Sequence, residues 1–127
     1  MRKIYTKNEY SEACRVASQV YDGQTSKDDA VSKLVSAGIN ETSANDFIVI
    51  YKSLVEGKSF LRGASSAAMK YFICLIKDKY GIDGLRRAVS ALDDHITRQK
   101  SPMHQMKVIL ADFEKELNEL NSKPNFR

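Results

Sequence analysis

A chain of 127 residues, 43% apolar and 28% charged, has the size and make-up of one water-soluble domain with a single core, which excludes both intrinsic disorder and a membrane-embedded protein. Lys and Arg number 20 against 16 Asp and Glu, a net charge of +4, and the surplus is uneven: eleven basic and five acidic residues lie between Lys52 and Lys107, whereas 1–51 and 108–127 each come to −1. Such asymmetry favours a polyanionic partner and says nothing about the fold.

The basic start, Met1 to Lys7, is not followed by the apolar run of a secretory signal, so a cytoplasmic location is expected. Thr6 and Glu9 form a capping-box pattern, and Tyr10, Ala13, Cys14, Ala17, Val20 and Tyr21 recur at helical spacing, predicting a first helix over Lys7 to Tyr21. Ser26 and Asp29 start a second, with Ala30, Val31, Leu34 and Val35 on one face. Gly38 can end it and Asn40 can cap a third, whose stripe is Ala44, Phe47, Ile48, Tyr51, Leu54 and Val55 before Gly57. Lys58 to Gly63 reads as a basic connector. A fourth helix, capped by Ser65 or Ser66, becomes apolar nearly all round from Tyr71 to Ile76 and is expected at the centre of the domain. Tyr80-Gly81 ends it, Asp83 starts a fifth, and Ser101-Pro102 starts a sixth that buries Met103, Met106, Ile109, Leu110, Phe113, Leu117 and Leu120. The expectation is one all-α domain over 1–127, a compact bundle of about six helices: N-terminal helices over 7–56, basic central helices over 64–100 and a C-terminal helix over 102–121.

Cys14 and Cys74 fall on apolar positions and read as reduced, buried thiols. Neighbouring Asp93, Asp94 and His95 point about 100° apart on a helix and cannot converge on one ion. His95 instead edges the apolar stripe, and Asp94 is placed to pair with Arg98. A triad assembled in space around His95 stays a remote alternative. No glycine-rich phosphate loop, nucleophile elbow, Cys-x-x-Cys or His-Glu-x-x-His occurs, so neither catalytic residues, metal ligands nor a cofactor are expected, and the chain is not read as an enzyme.

The tight turn at Gly38 to Asn40 has the layout of a helix-turn-helix, in which Thr42 and Asn45 could read bases, although that spacing recurs in many helical bundles and Glu41 and Asp46 are poor company for phosphates. The stronger signal is Lys58, Arg62 and the start of the fourth helix, where Ser65 and Ser66 would offer hydroxyls beside free backbone N–H groups. Arg86 and Arg87 stand in a helix first turn, where the dipole disfavours cations and an external anion would relieve them, unless they are ordinary solvated arginines offset by Asp83. Lys70 and Lys77 either extend this patch or snorkel from a buried helix.

From Gln24 to Arg98 the chain resembles a helical domain found upstream of HNH-type nuclease domains in bacterial restriction-associated proteins. The resemblance rests on Gly38-Ile39-Asn40 with Ser43-Ala44, Gly57-Lys58, Arg62, Ala67-Ala68, Tyr71-Phe72, Ile76, Tyr80-Gly81, Gly84-Leu85, Ala88, Ala91-Leu92 and His95-Ile96. It implies engagement of duplex DNA beside a partner or fused nuclease, with Lys58 and Arg62 as carried-over basic positions. Gly63 departs from the hydroxyl residue expected after the arginine, Thr97-Arg98 replaces an aromatic pair, and no nuclease-type Cys or His cluster follows. The function expected is therefore a non-catalytic DNA-binding module. The alternative is a helical protein-interaction or homodimerisation domain, meeting its partner through the Met103 and Met106 face or the acidic last helix.

Overall fold

A computed structural model describes residues 5–61, 63–99 and 103–122. The described residues form five helices, α1 (Lys7–Tyr21), α2 (Lys27–Ser36), α3 (Glu41–Glu56), α4 (Ser66–Arg98) and α5 (His104–Ser122). Six were expected. The difference lies at Gly81, whose φ of 74° and ψ of −157° kink α4 instead of ending it, so the expected fourth and fifth helices are two arms of one element. The expected Ser101-Pro102 cap of the last helix lies outside the described residues.

Local chemistry sets the helix starts. Thr6 accepts from the Glu9 amide while the Glu9 carboxylate accepts from the Thr6 amide, and Ser26, Asn40 and Ser65 cap α2, α3 and α4 in the same sense. Each such cap is worth about 1 kcal/mol. The ends of α2 and α3 share one motif. Ile39 N–H donates to Leu34 O and Gly38 N–H to Val35 O, just as Lys58 N–H donates to Ser53 O and Gly57 N–H to Leu54 O. Both glycines hold positive φ, 102° and 73°, the conformation this ending requires.

Packing is organised by α3, which buries Ala44, Phe47, Ile48, Ile50, Tyr51, Leu54 and Val55 against α1, α2 and α4. The Phe47 and Tyr51 rings meet Phe72 of α4 at centroid separations of 5.7 and 6.4 Å, which joins the two elements at the core. The stretch 71–76 is not buried all round as expected: Phe72, Ile73 and Ile76 face inward, Tyr71 and Leu75 are half-buried, and Cys74 is exposed. Only Cys14 is a buried thiol, and burial pushes its pKa from 9.0 to about 12. α5 closes the remaining face of α4 through Met106, Leu110 and Phe113, with Lys77 paired to Glu116 across the junction. No helix among the described residues is long and apolar enough to cross a membrane.

Candidate nucleic-acid interface

The ends of α1 and α3 meet the kink of α4 at one edge of the bundle. The last residue of α1, Tyr21, lies 6.1 Å from Tyr51 of α3, and Lys79, just before the kink, donates to Asp22 at 2.5 Å. Gly57, at the end of α3, rests on Arg87, just past the kink, so closely that a Cβ built on it would stand 3.3 Å from the Arg87 Cβ. The C-terminal carbonyls of helices carry partial negative charge, and cations gather beside them here. Hydrogen bonding to Asp22 holds Lys79 above its usual range.

Arg87 does the most specific work. Its Nε donates to Val55 O at 2.7 Å, a carbonyl of the last turn of α3. Since Lys58 N–H and Gly57 N–H serve Ser53 O and Leu54 O, Arg87 extends the satisfaction of α3's final turn by one more carbonyl. This corrects the expectation that Arg87 waits in a helix first turn for an external anion: the relief comes from the end of a neighbouring helix. Arg86 beside it points outward and pairs with Asp83 at 2.5 Å, with both side chains at least half exposed.

Lys58 is 75% exposed and stands 3.6 Å from Glu56. Lys58 and Arg86 thus each adjoin, in sequence, the contact between Gly57 and Arg87, and Lys58, Arg86 and Arg87 each have an acceptor from the protein. Arg62 lies outside the described residues. Ser65 is exposed and its hydroxyl oxygen accepts from Ala68 N–H at 3.2 Å, capping α4, whereas the half-buried Ser66 hydroxyl is taken up by donating to Gln105 of α5 at 3.1 Å. The same α5 contact crowds the start of α4. Lys70 is exposed, but nine residues, about 14 Å of helix rise, separate it from Lys79, so it does not join the edge. Lys77 is taken up by Glu116.

Thr42 is exposed on α3, and Asn45 is half-buried with its amide donating to Glu41 O at 2.9 Å. They share the outward arc of α3 with Glu41, Val49, Lys52 and Glu56, an arc whose net charge is negative. Val49 and Lys52 were not singled out by sequence reasoning, although their seven-residue steps from Thr42 and Asn45 would have shown them on the same stripe.

Beneath the connector, His95 is 1% exposed and its ring stacks on Phe60 at 4.2 Å. Its Nδ1 donates to Phe60 O at 2.7 Å, so its polar partner is a backbone carbonyl and not the carboxylate of a spatial triad. The buried Nε2 has no hydrogen-bond partner among the described residues and faces Gly63, where a Cβ would come within 2.8 Å. Gly63 thus leaves no room for a side chain, a steric demand that spacing alone did not reveal. Asp94 pairs with Arg98 at 3.3 Å as expected, and among the described residues no group of three or more His, Cys, Asp or Glu side chains could hold a metal.

No family model matches the chain, and no curated protein or solved structure matches it.

Proposed function

We propose that this chain is a non-catalytic module that binds duplex DNA through phosphate contacts at the edge formed by Lys58 and Arg86, with Arg62 of the intervening connector. The observation that supports the reading is the seating of Gly57 on Arg87, which brings together backbone 30 positions apart in the most basic part of the chain. The local acids do not bar it. Exposed pairs such as Lys58–Glu56 and Arg86–Asp83 are worth about 0–1 kcal/mol, so a phosphate can replace either carboxylate at little cost.

Arg87, Ser65, Ser66 and Lys70 are left out of the contact set, Arg87 and Ser66 because they are engaged within the fold, Ser65 because its oxygen already caps α4, and Lys70 because it lies apart. Thr42 and Asn45 are left out because Glu41 and Glu56 share their arc. Contacts of this kind position a duplex without reading its sequence. The resemblance of residues 24–98 to domains beside HNH nucleases extends the proposal to a nuclease as partner or fused neighbour.

Titration of a duplex at several salt concentrations tests it. Each phosphate contact contributes about −0.9 to the slope of log K against log salt, so two or three contacts give a slope near −2 to −3. Arg86→Ala should lower the steepness by about 1 on every sequence tried. A slope near zero, or no binding at low salt, would reject the proposal.

A further inference from the structure

At about 100° per residue, Glu41, Lys52, Asn45, Glu56, Val49 and Thr42 fall in that order across an arc of roughly 100° on α3, and none of them is buried. Val49 is 49% exposed towards the Thr42 side of this face. Along the other side of the face, by Lys52, lies a shallow cleft of about 230 Å³ between α1 and α3, lined by Ala17, Val20, Tyr21, Ile48 and Lys52. Neither Glu41 nor Lys52 has an ion-pair partner among the described residues, although Glu12, Glu56, Asp83 and Asp94 each pair with a cation close by in sequence. The two charges lie on the same side of the arc, separated along the helix by about 17 Å. They are too far apart to meet within one chain.

We infer that α3 packs antiparallel against α3 of a second copy of this chain, with Lys52 of each copy paired to Glu41 of the other. An isologous two-fold whose axis crosses the helices at right angles keeps each lateral side of the arc facing the same side of its mate. A midpoint between Asp46 and Phe47 then brings Lys52 opposite Glu41 twice, and sets Val49 near the partner's Thr42 on the other side. Asn45 lies near the centre, and both clefts lie on the side that carries Lys52 and Glu41. Charge complementarity favours a second copy over an unrelated helix, because one acid and one base on the same side of the face are paired twice by a two-fold contact. One helix pair is a small interface, so association is weak and depends on concentration. The two α3 C-termini, each carrying its Lys58 and Arg86, would stand about 30 Å apart along the shared axis, close to the ~34 Å repeat of a duplex turn. That consequence alone rests on the DNA reading; the dimer does not.

Sedimentation equilibrium of the full chain, without DNA, tests the inference. The weight-average mass should rise from 14.3 kDa towards twice that value as concentration increases into the millimolar range. Lys52→Glu should weaken self-association at least about tenfold by setting like charges face to face, and Glu41→Lys combined with Lys52→Glu should restore it, with helix content unchanged in both. A monomer at every concentration, a dimer indifferent to Lys52→Glu, or a double variant that fails to recover would each overturn the inference. Failure of duplex binding in the titration above would leave it standing.

Discussion

Two polar regions border the connector between α3 and α4, and they use their hydrogen-bonding groups in opposite ways. Under the connector, His95 is buried, its Nδ1 is committed to Phe60 O, and Gly63 is pressed against its other nitrogen. At the neighbouring edge, Lys58 and Arg86 are exposed and hold acids that solvent already screens. The first region fixes the path of the connector; the second presents charge at the place that path creates. Burial, and not residue type, separates the groups that build the fold from those available to a partner. Arg86 and Arg87 show it most plainly, adjacent in sequence yet divided between the two roles.

Enlarging the close contact should break the buried region first. Gly63→Val forces a branched side chain against the His95 ring and should destabilise the fold by about 3 kcal/mol in urea unfolding, with the midpoint shifted and the slope retained. A loss under 0.5 kcal/mol would show that the connector yields freely. Arg87→Ala should come next, at about 2 kcal/mol, because a charge-assisted bond to the last turn of α3 is lost and Val55 O is left without it.

The core gives a smaller effect that depends on pH. Burial raises the Cys14 pKa from 9.0 to about 12, so below pH 9 both folded and unfolded chains keep the proton and the full contribution to stability is present. Between 9 and 12 only the unfolded chain releases it, and stability must fall as pH rises. Cys14→Ala should flatten this alkaline decline in thermal melts, leaving the part due to Tyr51, whose hydroxyl burial also holds above its usual range. An unchanged decline would place its source elsewhere. Smallest of all, the Lys58→Ala, Arg86→Ala pair should alter unfolding free energy by no more than about 0.5 kcal/mol, since exposed ion pairs contribute little.

Helix starts were legible because side chains that cap are local: Thr6, Ser26, Asn40 and Ser65 each act three residues ahead. Gly38 and Gly57 marked their endings for the same reason. Gly81 was read as a break and is a kink, because whether a chain resumes its helix after one left-handed residue depends on what its next turn packs against, here the end of α3. The basic residues were visible as a surplus, but their partners were not. Arg87 meets Val55 across 32 positions and Ser66 meets Gln105 across 39, and no periodicity encodes such contacts. Gly63 and His95 are likewise a pair made by the fold, seen in sequence only as one unexplained glycine.

The division between the adjacent arginines is tested most directly by preparing Arg86→Ala and Arg87→Ala side by side, and measuring unfolding free energy and duplex affinity at low salt for each. Arg86→Ala should keep wild-type stability and bind DNA several-fold more weakly, with a shallower salt slope, while Arg87→Ala should lose stability and, where still folded, retain most of its affinity. The reverse pattern, with Arg86 needed for folding and Arg87 for binding, would contradict the account.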